Sequence, residues 1–166
     1  MSDDAAPGRE LRAWIVVAST RAGRGQYLDR SGPIIAEWLT AQGFVVDEHI
    51  VVADGPPVGE AIRAALYADA HLVITTGGTG LTPTDRTPEE TRQLLDFEIP
   101  GLADAIRAAG LPAVPTAVLS RGTAGVAGSS LVVNLPGSTG GVRDGLEVLA
   151  GVVHHAIDQI HGGDHR

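Results

Sequence analysis

Residues 71–91 read HLVITTGGTGLTPTDRTPEET, and this stretch decides the fold. Its first six residues, His71 to Thr76, read as a strand. Gly77, Gly78 and Gly80 follow at once. Thr87-Pro88-Glu89-Glu90 then sets a Thr, a proline at the first helical position and a Glu at the third, which predicts a capping box and a helix start. A strand that passes through a glycine loop into a helix is the repeating unit of an α/β sheet.

The same alternation extends in both directions. Upstream, Ala13 to Ser19 (AWIVVAS) is a strand. Asp29 and Ser31 offer an N-cap, Pro33 sits near a first helical position, and Ile34, Ile35, Trp38 and Leu39 share a helical face that stops at Gly43. Phe44 to Ala53 is a less buried strand, and Val58 to Ala70 a second helix. Downstream, the helix begun at Thr87 is expected to run to Pro100, and a short one to follow from Leu102 to Ala109. Thr116 to Ser120 and Ser130 to Leu135 are predicted as strands, and Thr139 to Ile160 as one long helix. The expectation is a single three-layer α/β/α domain over residues 11–160 with a mostly parallel sheet, between flexible tails at 1–10 and 161–166.

Composition narrows the chemistry. The 166 residues are 43% apolar and 4% aromatic, so the core is built from Ala, Val, Leu and Ile. A net charge of -8 disfavours a nucleic-acid or anionic-membrane surface. No Cys is present, which removes thiol catalysis, Fe–S clusters, Cys-ligated zinc and disulfides. All 12 basic residues are Arg, so a Gly-Lys-Ser/Thr phosphate loop and lysine Schiff bases are excluded. No apolar run approaches the ~18–20 residues of a membrane span. MSDDAAPGRE lacks the basic and apolar regions of a signal peptide, so a cytoplasmic location is expected.

In an open α/β sheet, ligands bind beyond the carboxyl ends of the strands. Four loops meet that description. In the first, Gly77, Gly78 and Gly80 let backbone N–H groups approach a phosphate or a flat ring, with hydroxyls at Thr76 and Thr79, and Asp85 as a candidate Mg²⁺ holder. Glu90 reads as a capping residue. In the second, residues 19–33 carry Arg21, Arg24 and Arg30 beside Ser31-Gly32-Pro33, a helix start that favours anions, although arginines that merely solubilise a loop are the commoner case. The third is Asp54-Gly55, and a turn Asp is the usual reason for such a pair. In the fourth, residues 120–145, Gly122, Gly125 and Gly128 make a flexible connection. Asn134-Leu135-Pro136-Gly137-Ser138 then closes a strand, and Ser138 is either a helix N-cap or a ligand contact. His154, His155, His161 and His165 have no partners that would complete a metal set, and no Ser-His-Asp triad is legible.

Taken together these loops resemble the molybdenum-cofactor biosynthesis proteins of the Mog/MoaB type, whose domain also occurs as the G domain of gephyrin and its plant relative. The resemblance spans Arg12 to Ile160. It rests on RGQYLDRSGP (24–33), ITTGGTGLTPTDRTPEET (74–91), Ile-Pro-Gly at 99–101 and LSRGTAGVAGSSLVVNLPGS (119–138). It implies a three-layer α/β fold, usually a homotrimer, that binds molybdopterin. In Mog-type members it implies Mg²⁺-dependent transfer of AMP from ATP to the terminal phosphate of that pterin, with release of pyrophosphate and handover to a molybdate-inserting enzyme. Residue by residue, the family's two functional aspartates, candidate catalytic and metal-holding groups, fall on Asp54 and Asp85. Its nucleotide and pterin loops fall on Gly77 to Gly80, with Thr76 and Thr79, and on Asn134 to Ser138, with Pro136, Gly137 and the adjacent Ser120 and Arg121. The chain departs from the usual pattern at Thr20, where the family often has Asp, at Ala53, where it has Pro, and at Thr139, where it has Pro. The alternative is a MoaB-type pterin-binding protein with little turnover; a generic flavodoxin-like nucleotide-binding domain is a third reading.

Overall fold

The computed structural model describes residues 8–25 and 28–163. The parts of the predicted tails at 1–7 and 164–166, which include His165, and Gln26 and Tyr27 of the 24–33 motif lie outside them. The chain runs β1 (Leu11–Ala18), α1 (Thr20–Gly23), α2 (Ser31–Ala41), β2 (Phe44–Val52), α3 (Pro56–Tyr67), β3 (Leu72–Thr76), α4 (Thr87–Arg92), β4 (Phe97–Glu98) and α5 (Pro100–Ala109). A 3-10 turn at Pro115–Leu119, β5 (Ala124–Ala127), β6 (Ser130–Leu135), α6 (Thr139–Ala150) and α7 (Val153–Ile160) complete it. One six-stranded sheet has the order β2-β1-β3-β6-β5-β4. The first four strands in that order pair in parallel, while β5 runs antiparallel to β6 and β4 antiparallel to β5. The expected three-layer, mostly parallel architecture is present.

Side-chain alternation in the central strands builds the two covering layers. Ala13, Ile15 and Val17 of β1, with Leu72 and Ile74 of β3, face a core closed by Ile35 and Leu39 of α2, Ile106 of α5, Leu146 of α6 and Ile157 of α7. Val16 and Ala18 of β1 and Val73 of β3 point the other way, onto Val58, Ile62 and Ala65 of α3. β3 is buried at every position, its two threonines included. β2, at the sheet edge, carries the polar interruption. Its register slips between Ala13 and Trp14, so Asp47 stands out of the pairing and takes Arg12 by Nε at 2.9 Å and a second guanidinium nitrogen at 2.8 Å.

The structure corrects the expectations at five points. α4 ends at Arg92, well before Pro100, and β4 occupies part of the gap. Residues 116–120 are not a strand: Pro115 opens a 3-10 turn whose Val118 and Leu119 are exposed and pair with no sheet strand. β5 falls inside the stretch read as a glycine connection. Gly125 is required there because a β-carbon would lie 2.3 Å from the Phe97 carbonyl oxygen across the β4 pairing. The last helix is two, broken at Gly151-Val152. Leu149, Val153 and Ile157 still share one core, so apolar spacing alone could not show the break. The capping box at Thr87 does not form. Thr87 N–H donates to the Gly78 carbonyl, its hydroxyl has no partner, and the Glu90 carboxylate lies over Gly59 of α3.

No helix among the described residues is long and apolar enough to cross a membrane. At the amino-terminal end of the sheet, His71 is 5% exposed and its Nδ1 accepts the Arg12 N–H at 3.1 Å. Burial, then the nearby His161, pushes its imidazole below the ordinary histidine value. The unfolded chain therefore binds this proton more readily than the native one, so the stability associated with neutral His71 is intact above pH ~6.5 and is lost as pH falls below it. A His71→Gln variant is expected to lose less stability than the wild type between pH 7 and 5 in parallel urea melts. Equal losses in the two proteins would remove His71 as the source.

Candidate functional site

The chain leaves β1 toward β2 on one side and returns to β3 on the other, so connections diverge at the carboxyl ends of β1 and β3. Ligands of open α/β sheets bind at such a point. The β3–α4 glycine loop lies there. Gly77 and Gly78 hold φ of 89° and 67°, which a side chain disfavours. Gly77 N–H donates to the Leu135 carbonyl at 3.2 Å, and a β-carbon at Gly77 would meet the Ala18 carbonyl oxygen at 2.4 Å. The loop is therefore pressed between the ends of β1 and β6. Among the described residues, the N–H groups of Gly78, Thr79 and Gly80 have no protein acceptor. Three of the four loop amides are free for a ligand, and Gly77's is not.

Arg121 fastens this loop. Its N–H reaches the Thr79 carbonyl at 2.8 Å, its Nε the Gly80 carbonyl at 2.9 Å, and a terminal nitrogen the Asp85 carbonyl at 2.9 Å. The other terminal nitrogen pairs with Glu89. Burial raises the Glu89 carboxyl pKa, but the Arg121 hydrogen bond and charge outweigh it and hold that group below the ordinary range. Arg121 is committed to loop shape on all these sides. Thr76 is likewise structural, since its hydroxyl donates to the Pro136 carbonyl at 2.7 Å.

The two aspartates flank the loop. Asp54 Oδ2 accepts the Thr20 N–H at 3.2 Å and the Thr20 hydroxyl at 3.0 Å, and Oδ1 faces Gly78. Thr20, noted from sequence as a departure, thus orients Asp54. Asp85 Oδ2 accepts the Thr82 N–H at 3.1 Å and faces Gly80. No group of three or more potential metal-ligating side chains occurs among the described residues.

The second predicted loop divides. Gly137 packs on Gly77, its carbonyl accepts the Ser31 hydroxyl at 2.9 Å, and both line a cavity of about 120 Å³ with Arg30. Arg21 and Arg24 are exposed. Asp29, one residue before the Arg30 N-cap of α2, accepts the Gly32 N–H at 2.9 Å and holds His49 Nε2 at 2.7 Å. Pro136, Ser120 and Ser138 line a cavity of about 380 Å³, together with Leu81, Val114 and Asp144. Asn134 lines neither cavity. It is 3% exposed, its amide donates to the Thr75 and Thr91 hydroxyls at 2.9 and 3.0 Å, and its Oδ1 accepts the Thr123 N–H at 3.1 Å. The sequence reading missed Leu81, Val114 and Asp144, whose segments read there as a loop or as scaffold.

Ser138 is a helix cap in the structure, accepting the Gly141 N–H at 3.1 Å. Ser138→Ala is expected to cost ~1 kcal/mol of stability, a drop of ~2–4 °C in Tm, and to leave nucleotide and pterin affinity unchanged. Weakened binding at an unmoved Tm would instead make the hydroxyl a ligand contact.

Comparison with known proteins places the chain in a family. Residues 14–155 match the family described as "Probable molybdopterin binding domain". The chain is 37% identical over 152 residues to the molybdopterin adenylyltransferase of Helicobacter pylori strain J99, covering 89% of this chain and 86% of that protein. A molybdenum cofactor biosynthesis bifunctional protein of Synechococcus elongatus is 37% identical over 99% of this chain, which spans about half (53%) of that relative's length. Among solved structures, the molybdopterin biosynthesis Mog protein of Mycobacterium ulcerans is 66% identical with a TM-score of 0.88, covering 90% of this chain and 99% of that one. The molybdopterin biosynthesis enzyme MoaB of Thermus thermophilus is 42% identical with a TM-score of 0.86, covering 94% and 99%. On the match over residues 14–155 and these relatives, the chain belongs to the probable molybdopterin binding domain family of molybdenum cofactor biosynthesis.

Proposed function

We propose that this chain is a molybdopterin adenylyltransferase, a nucleotidyltransferase that moves AMP from ATP onto the terminal phosphate of molybdopterin and releases pyrophosphate, with Mg²⁺ as cofactor. The observation that carries the reading is the fastened glycine loop, with three free amides and a carboxylate on either side at the sheet's switch point. Relatives named molybdopterin adenylyltransferase, such as that of Escherichia coli strain K12 at 36% identity, support it.

The reaction brings two polyanions together in a chain without Lys. It needs little covalent help from the protein, because the attacking phosphate is already ionised, and it depends on positioning and charge neutralisation. The Gly78, Thr79 and Gly80 amides donate to phosphate oxygens, and the bonds from the Arg121 guanidinium to the Gly80 and Asp85 carbonyls hold the loop in place. Carboxylate oxygens suit Mg²⁺, which is bound through one or two carboxylates and completes its shell with water and substrate phosphates. Asp54 and Asp85 would hold it. Bound there, it supplies neutralisation of the phosphate charge that these residues cannot. Among the described residues, Asp144 is the one charged side chain lining the cavity of about 380 Å³, which suits a flat, mostly uncharged ring system. Exposed apolar side chains at Leu111, Val114, Val118 and Leu119 support the homotrimer that the family resemblance implies.

The test is incubation with molybdopterin, ATP and Mg²⁺, followed by chromatography for adenylylated pterin. Product that requires both ATP and Mg²⁺ supports the reading. Tight pterin binding without product would leave a binding protein of the MoaB kind.

A further inference from the structure

The end of the sheet opposite the glycine loop carries a cluster that adenylyl transfer does not use. Arg9, His71, His154, Asp158 and His161 line a cavity of about 280 Å³ there. Two imidazoles meet beside it: the His71 and His161 rings have centroids 5.2 Å apart and planes tilted by 46°. Their hydrogen bonds fix their tautomers. A backbone amide and a guanidinium can only donate, so His71 Nδ1 accepts the Arg12 N–H at 3.1 Å and His161 Nδ1 accepts an Arg9 N–H at 3.3 Å. Both rings are therefore neutral, each with its proton on Nε2. His71 Nε2 is buried and has no partner, so the fold supplies no acceptor for that proton.

A second proton on His71 cannot be accommodated in place. It would sit on Nδ1 and set one N–H against another, and the charge would be buried without a counter-ion. The groups that face the ring give no relief. Arg9 and Arg12 come from the amino-terminal segment and β1, and Arg12 is already paired with Glu10 and Asp47. His154, Asp158 and His161 come from α7 and its end, so Asp158 is the one carboxylate lining the cavity among the described residues. β6, beside β3, adds no titratable group between Ser130 and Leu135. Nor can the strand carry the ring away, because His71 N–H donates to the Arg12 carbonyl and its own carbonyl accepts the Leu131 N–H, both at 2.9 Å. Water must come to the ring. His161, in contact with that ring, is itself exposed, so the turn that carries it is the cover.

We propose that the last turn of α7, with His161 and its bond to Arg9, is a proton-released cover: when His71 Nδ1 takes a proton, this turn lifts from the amino end of the sheet and opens the cavity, while the glycine-loop end keeps its shape. A proton on His161 Nδ1 would end its bond to Arg9 as well, so both cross-links fail in the same direction. Opening belongs below pH ~6.5. Burial, then His161, holds the covered His71 below the ordinary histidine value, and an uncovered ring returns to that value. The device stands apart from the adenylyltransferase reading, and its test uses neither pterin nor ATP.

The experiment is hydrogen–deuterium exchange of the full chain at about pH 7.5 and about pH 5.5, each rate divided by that of an unstructured peptide at the same pH. In the wild type, protection across residues 153–163 is expected to fall several-fold at the lower pH. The ceiling is about 10-fold, set by an open form whose histidine titrates near 6.5 and a closed form that stays neutral. Peptides from α3 and from the glycine loop should change less than about 2-fold. His71→Gln keeps an oxygen that accepts the Arg12 N–H and does not titrate, so its protection across 153–163 should not depend on pH. His161→Gln thins the cover and keeps His71: its protection should start lower at the higher pH and still fall. Imidazole ¹⁵N shifts of the wild type need no variant, and His71 Nδ1 should gain its proton over the pH range in which 153–163 loses protection. Wild-type protection that holds at the lower pH overturns the proposal. So does a His71→Gln protein that loses as much as the wild type, a loss shared equally by α3, or a His71 ring that stays neutral while exchange rises.

Discussion

A Gly78→Val protein is expected to fold, to melt several degrees below the wild type, and to form no adenylylated pterin above background. Two costs add at this position. Its φ of 67° lies in the left-handed region, where a β-branched residue is strained by about 1–3 kcal/mol. The new side chain would also press on Thr87 Oγ1 and Asp54 Oδ1, 2.3 and 3.0 Å from its β-carbon. Those atoms are ends of side chains and can give way, so the fold survives while the site is blocked. Gly77→Ala is the contrast. Its β-carbon would meet the Ala18 backbone oxygen at 2.4 Å, and β1 cannot move without disturbing its pairing with β2 and β3. That variant is expected to be recovered mainly unfolded. Circular dichroism melts beside pterin chromatography separate the two, and a Gly78→Val protein that turns over normally would show that ligands do not approach this face of the loop.

The central sheet and the glycine loop were legible because each rests on a local signal with one physical meaning. β1, β3 and β6 each carry a short apolar run at their centre, Ala13 to Ala18, Leu72 to Ile74 and Leu131 to Val133, the mark of a strand covered on both faces. Asp54 and Asp85 were named through resemblance, and in the structure Asp54 Oδ1 lies beside Gly78 and Asp85 Oδ2 beside Gly80. What failed to show had no local signal. β4 and β5 are short, and β5 is Ala and Gly with one Val, a composition that favours no strand; only the close passage of β4 makes Gly125 intelligible. The Thr87 segment carried a strong local signal with the wrong meaning. Its capping-box pattern is real in sequence, yet the residue is drawn to the Gly78 carbonyl and its hydroxyl lies against Gly78. Asn134 and Arg121 show a third case. Both stand in the family's motifs, and both are engaged by protein atoms, Asn134 tying β6 to Thr75, Thr91 and Thr123 and Arg121 tying the loop to α4. A motif records which residues a site depends on, and some of these act by holding the others.

That distinction sets the second large effect, at Asp85. Asp85→Asn is expected to leave the fold intact and to lower kcat/KM for adenylyl transfer at least ~10²-fold, about 2.7 kcal/mol of transition-state stabilisation. The turn does not need the charge. Asp85 N–H donates to the Thr82 carbonyl at 3.0 Å, and its own carbonyl is held by Arg121 at 2.9 Å. The Thr82 N–H, now on Oδ2 at 3.1 Å, can be accepted equally well by an asparagine carbonyl. What changes is the negative charge beside Gly80, and a neutral amide binds Mg²⁺ far more weakly than a carboxylate. The loss should therefore shrink as Mg²⁺ is raised, through an increased apparent KM for the metal, while Tm and pterin binding stay at wild-type values. Arg121→Ala would lower activity by a different route: it releases the Gly80 and Asp85 carbonyls and leaves Glu89 without its partner, so Tm falls with turnover and added Mg²⁺ does not help. Steady-state rates across a Mg²⁺ series, taken with melting curves, tell the two apart. An Asp85→Asn enzyme within about 3-fold of the wild-type rate at low Mg²⁺ would reduce Asp85 to a turn residue and leave Asp54 as the site's only acidic metal holder.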